Sequence, residues 1–88
     1  MKDAEIQGRL QDLFRKAFRA PDYVLKPEDT PAELPNWDSL NYITLILEIQ
    51  KAFGIRVRAV EAGQFRTAGD LLRMISTRVS EKGDTPHA

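Results

Sequence analysis

Residues 37–49 read Trp37-Asp38-Ser39-Leu40-Asn41-Tyr42-Ile43-Thr44-Leu45-Ile46-Leu47-Glu48-Ile49, the most apolar stretch of the chain. Asp38 suits the cap of a helix, because its short carboxylate reaches an orphan N–H of the first turn. Leu40, Ile43, Leu45, Ile46, Leu47, Ile49 and Phe53 then cover more than one narrow stripe. A helix over 39–53 is therefore expected to be contacted from several sides. Gly54 follows in the place of a left-handed cap, with Lys51 near the negative end of the helix dipole. On this reading the Ser39 hydroxyl lies in an exposed first turn, where the dipole favours an attached anion.

Upstream, Ile6, Leu10, Leu13, Phe14, Ala17 and Phe18 share one face of a 3.6-residue period, which predicts an amphipathic helix over 4–18. Asp3 is the expected cap and Pro21 the expected stop. Residues 20–37 hold Pro21, Pro27, Pro31 and Pro35 and no sustained period. So long a loop in a small domain is expected to be functional or to pack on itself. Tyr23, Val24, Leu25, Leu34 and Trp37 are its candidate anchors, with a single helical turn near Thr30-Pro31.

Downstream, Ile55-Arg56-Val57-Arg58-Ala59-Val60 alternates like a strand, but one short strand has no partner in this sequence, so an extended linker is expected. A short helical turn over 60–64 follows, with Phe65 packing inward. Thr67-Ala68-Gly69-Asp70 matches a capping signature and opens a last helix from 68 to about 79. The expected core joins Phe14, Ile43, Ile46, Leu47, Leu72 and Ile75.

Composition narrows the chemistry. At 88 residues the chain makes one small domain. It has no cysteine and a single histidine, His87, near the C-terminus, so thiolate, disulfide and histidine-based sites are not expected. No apolar run nears the roughly 20 residues that span a bilayer, and residues 1–5 lack the apolar core of a secretory signal. A cytoplasmic protein without stable membrane insertion is the expectation. Net charge is zero, yet residues 21–53 carry six acids against two bases and residues 54–79 carry five arginines against two acids. Such asymmetry bears on partner steering. Scattered arginines without interleaved surface aromatics argue against nucleic acid.

An Asp-Ser helix start is by itself ordinary. The order around it is more specific: a proline-containing loop, the Ser39 helix, a Phe53-Gly54 end, an Ile-x-Val linker, a small turn and a Thr-capped helix with Asp70-Leu71. This order and spacing resembles the acyl carrier protein family over residues 4–79. The resemblance implies an all-α bundle of three longer helices and one short one, with the long loop after the first helix. It implies a carrier domain over residues 1–80 and a flexible tail over 81–88.

It also implies a site. Ser39 would be the attachment point of 4'-phosphopantetheine, its hydroxyl attacking the diphosphate of coenzyme A within a phosphopantetheinyl transferase. Asp38 would help hold the transferase's Mg²⁺, an ion that prefers oxygen ligands. Leu40 would pack at the helix–loop junction and face the transferase. The prosthetic thiol would carry acyl or aminoacyl groups as thioesters, so the partners are a loading ligase or transferase and downstream biosynthetic enzymes. No residue of the chain is expected to be catalytic or to hold a metal of its own, and a monomer is expected.

The sequence departs from carriers of primary fatty acid synthesis, whose second helix is usually strongly acidic. Here the comparable positions are Asn41, Thr44, Gln50 and Lys51, with Glu48 the one acid. Trp37 stands where a small residue is common, and Arg56 and Arg58 make the following linker basic. The expected partner surface is Trp37, Asn41, Tyr42, Thr44, Glu48, Arg56 and Arg58, suited to a specialised pathway. Aminoacyl carriage stays open. The alternative is a small helical interaction module with the long loop and Trp37 as its binding surface. An enzyme is disfavoured, because nothing in the pattern stands ready to activate Ser39.

Overall fold

A computed structural model of the protein describes residues 2–83. The elements run α1 (Asp3–Ala17), a 3₁₀ turn (Pro31–Glu33), α2 (Ser39–Phe53), α3 (Ala59–Ala62) and α4 (Ala68–Gly83), with no strand among the described residues. The expected all-α bundle, with three longer helices, one short helix and a long first loop, is the architecture observed. Residues 55–58 are an extended linker, and α3 begins one residue earlier than expected. α4 continues four residues past Val79, so residues 81–83 of the expected tail belong to its last turn. Residues 84–88 of that tail lie outside the described residues.

Local chemistry sets the helix ends. Asn41 N–H donates to Asp38 Oδ1 at 2.7 Å, the expected cap of α2. Gly54 closes α2 at φ 64°, a conformation that favours glycine. Asp3 does not cap α1: it is the first helical residue, and its carboxylate accepts a bond from Ser76 Oγ on α4 at 2.9 Å. Pro21 does not stop α1 either. Arg19 turns left-handed at φ 54°, and Ala20 N–H reaches back to the Arg15 carbonyl while Arg19 N–H reaches that of Lys16. The chain has left the helix two residues before the proline, through a Schellman turn built without glycine.

α1 packs against both α2 and α4. Its buried face is Ile6, Leu10, Phe14 and Ala17, and Phe18 just beyond is fully buried. α2 contributes Leu45, Ile46, Ile49 and Phe53, and α4 contributes Ala68, Leu71, Met74 and Ile75. The expected core was right for Phe14, Ile46 and Ile75. It was wrong for Ile43 and Leu47, which are 54% and 52% exposed, while Leu72 is half-buried. α2 is covered on one side by α1, and the short α3 spans too little of the opposite side to cover the rest. The excess apolar positions of α2 are surface.

The proline-rich loop packs on itself and on the bundle. Leu25 is buried, its N–H bonded to Gln11 Oε1 at 3.0 Å. Asp29 is 5% exposed, and its Oδ2 accepts the Tyr23 hydroxyl at 2.6 Å and Lys26 N–H at 2.9 Å. Burial, then the bond to Asp29, pushes the Tyr23 hydroxyl up to about 12. Arg15 Nε donates to the Tyr23 carbonyl at 2.7 Å. At the far end, Ala68 N–H donates to the Asp29 carbonyl and Gly69 N–H to the Pro27 carbonyl, at 2.9 and 2.7 Å. A Cβ on Gly69 would lie 3.0 Å from Pro27 O, so glycine permits this approach.

Candidate functional site

The loop delivers Ser39 to the surface through a short series of bonds. Asn36 takes a left-handed conformation, φ 56°, which asparagine tolerates. Its Nδ2 donates to the Phe18 carbonyl at 2.8 Å, and its own carbonyl accepts Asn41 Nδ2 at 3.0 Å. Thus the last residues of the loop are tied to α1 behind and to α2 ahead. Trp37 lies between: its ring is 5.7 Å from that of Phe18 and 4.9 Å from that of Tyr42. Phe18 in turn stacks on Phe14 at 4.3 Å. Four rings run in a row from the interior of α1 to the first turn of α2. Asp38 then caps, and Ser39 is the exposed first residue of α2.

Ser39 stands at one end of an apolar groove between α2 and α3. The α2 wall is Ser39, Tyr42, Ile43, Ile46, Leu47 and Gln50, and the opposite wall is Val57, Ala59, Ala62 and Gly63, enclosing about 460 Å³. Positions 39, 43, 46 or 47, and 50 follow one helical stripe, so Ser39 and the groove share a face of α2. The groove is held open at set width by three connections. The Tyr42 hydroxyl donates to the Ala62 carbonyl at 2.6 Å, and burial pushes that phenol up to about 12. Val57 N–H donates to Gln50 Oε1 at 3.0 Å. On the outer side, Arg78 of α4 donates to the Arg56 carbonyl at 2.6 Å and pairs with both oxygens of Glu61. Glu61 also accepts Arg58 N–H at 2.9 Å. The bond from Arg78, with that from Arg58, lowers its carboxyl to about 2.

The expected site residues fare differently. Asp38 and Ser39 sit together as the cap and first residue of α2. Leu40 is 71% exposed instead of packing at the helix–loop junction. Trp37 and Tyr42 meet ring to ring. Asn41 is half-buried with its amide turned toward Asn36, and Thr44 is exposed with its hydroxyl bonded to the Leu40 carbonyl at 3.0 Å. Glu48 is half-buried; Arg56 and Arg58 are exposed. The sequence reading missed an apolar display: Leu40, Ile43 and Leu47 on α2 and Val60 on α3, the last 63% exposed. Its signal was the surplus of apolar positions in α2, taken as burial. Both the exposed serine and a groove of this volume fit a covalently tethered, partly apolar group.

The chain matches no family model. It is 28% identical to an acyl carrier protein of Thermosynechococcus vestitus over 80 residues, 91% of this chain and 99% of that one. It is 26% identical to acyl carrier protein 2 of Ralstonia nicotianae over 77 residues, 88% of this chain and 95% of that one. The solution structure of a holo acyl carrier protein from Geobacter metallireducens shares the fold, with a TM-score of 0.81 over 93% of this chain and 94% of that chain at 24% identity. Likeness running through nearly the whole length of both sequence relatives, on this helical frame, supports the acyl carrier protein family, whose members carry groups for enzymes and are not enzymes themselves.

Proposed function

We propose that the protein carries acyl or aminoacyl groups on a 4'-phosphopantetheine arm attached to Ser39, in a specialised biosynthetic pathway of the cytoplasm, and works as a monomer. The observation that supports this best is the place of Ser39, exposed at the capped start of α2 and at the end of an apolar groove. In the modification, Ser39 Oγ forms a bond to the pantetheine-bearing phosphorus of coenzyme A. The diphosphate bridge breaks, the adenine nucleotide leaves with the bridging oxygen, and the hydroxyl proton passes to the transferase. Asp38 stands beside that hydroxyl as a candidate ligand for the transferase's Mg²⁺. The prosthetic group supplies the thiol on which thioesters are formed.

The chain's own residues position the arm and select partners. Asp38 spends one oxygen on the cap, so the first turn is fixed before modification. Leu40, Ile43 and Leu47 offer an apolar stripe beside the serine, and Arg56 and Arg58 a basic flank. A partner that expects an acidic helix loses its steering here, whereas one with an apolar docking face gains contact area. That supports loading enzymes and downstream enzymes of a dedicated pathway over the primary fatty-acid machinery.

The test is direct. Incubation with a broad-specificity phosphopantetheinyl transferase and coenzyme A should add the mass of one phosphopantetheine per chain. Ser39→Ala should fold with unchanged circular dichroism and add none, since an exposed first-turn hydroxyl contributes little to stability. An unchanged mass for the parent protein, or modification of the Ala variant, would refute the reading.

A further inference from the structure

Two apolar spaces lie on either side of a single pair of rings. One is the open α2–α3 groove of about 460 Å³ that ends at Ser39. The other is a cavity of about 30 Å³ inside the bundle, lined among others by Leu10, Phe14, Leu25, Leu45 and Leu71. Trp37 and Tyr42 line both, and among the described residues no other does. They are the partition between surface and core.

The partition is braced from both ends. Tyr42 is anchored across the groove by its hydroxyl on the Ala62 carbonyl, at 2.6 Å. Trp37 is backed by Phe18, itself fully buried and stacked on Phe14. Moving either ring inward would drive it into this row, and moving Tyr42 outward would break its bond to α3. Behind the partition there is little to enter. At ~10–15 Å³ per water, the inner cavity has space for roughly two water-sized bodies, far less than an alkyl chain requires.

Resting on the carrier reading above, we infer that Trp37 and Tyr42 are specificity determinants that confine the group attached at Ser39 to the open groove and exclude it from the core. The cargo class that follows is short or polar acyl and aminoacyl groups, which gain little from burial in a bundle interior and stay within reach of partner enzymes. Long saturated chains, whose stabilisation would scale with buried apolar area, find no interior here.

The experiment uses the full chain loaded with octanoyl-phosphopantetheine, checked by mass, with acetyl-phosphopantetheine protein as reference and methyl groups labelled for NMR. Methyls of Ile43, Leu47 and Val57 should shift between the two forms, while those of Leu10, Leu45 and Leu71 stay in place. In Tyr42→Ala the shifts should spread to Leu45 and Leu71. Shifted core methyls in the parent protein would overturn the inference, as would an octanoyl chain that moves neither set. Should Tyr42→Ala fail to fold, the parent comparison alone decides. Failure to load Ser39 at all would be seen by mass and would remove the inference together with the carrier reading.

Discussion

The loop between α1 and α2 and the segment around α3 are both poor in regular structure, yet they are secured in opposite ways. The loop is nailed inward: Asp29 is buried with two donors on one oxygen, Leu25 sits in the core, and carbonyls of Pro27 and Asp29 bond to the start of α4. The α3 segment is hung from its neighbours by side chains that reach across open space: Tyr42 to Ala62, Gln50 to Val57, Arg78 to Arg56 and Glu61. Its four-residue helix buries no side chain fully. The first region fixes where Ser39 stands. The second forms the wall of the groove beside it.

Substitutions can separate the two regions. The largest effect is expected at Asp29→Ala, which strips a charged acceptor from Tyr23 and Lys26 and should cost about 1.5–3 kcal/mol in denaturant unfolding. Amide exchange should rise at Ala68 and Gly69, whose bonds end on this loop, and remain unchanged at Ala62 and Gln64. A smaller effect is expected at Tyr42→Phe, which removes one neutral hydrogen bond and should cost about 0.5–1.5 kcal/mol. Here the pattern reverses: Ala62 and Gln64 should exchange faster, with Ala68 and Gly69 unaffected. Equal loosening of both sets by either variant would dissolve the distinction between the regions.

The smallest effect is a pH dependence confined to α3. Glu61 has its carboxyl lowered from 4.5 to about 2 by Arg78 and Arg58, so its pairing is fully present above the ordinary value. The stability it contributes declines as the pH falls from about 4.5 towards 2, and in the folded protein the pair itself breaks only as the pH nears about 2. Amide chemical shifts of residues 58–62 should move as the pH nears about 2. Glu61→Gln should abolish the α3 response. A response that persists in that variant would assign it to another group.

Much of this was legible in the chain because it is local. The bounds of α2, its Asp38 cap, the left-handed Gly54 and the Thr67–Asp70 box each depend on a few neighbouring residues, and each formed as read. What escaped depends on which elements meet. Hydrophobicity alone could not tell a helix covered on several sides from one with a bare apolar stripe, so Ile43 and Leu47 were assigned inward. Leu72 is half-buried while Met74, two residues on and therefore on a different side of α4, is buried, and the position of α1 decides which side faces inward. Asp29 looked like an ordinary loop acid, since burial of a carboxylate follows from Tyr23 and Lys26 arriving from the same loop. The position of Ser39 at the start of α2 was legible through its cap. The ring pair that borders its groove was not, because Trp37 and Tyr42 become a partition only once Phe18 and Ala62 stand on either side.

The start of α4 also bears on how the chain folds. A helix leaves its first four amides without partners in its own ladder. In α4 two of them, at Thr67 and Asp70, are satisfied within the capping box. The other two, at Ala68 and Gly69, are satisfied by carbonyls of a loop about forty residues earlier in the chain. The last helix therefore gains two of its first-turn partners within the protein only when that loop has closed over it. These two bonds are long-range contacts, and making them carries a loop-closure entropy that sets this bundle apart from one whose helices are each finished by their own neighbours.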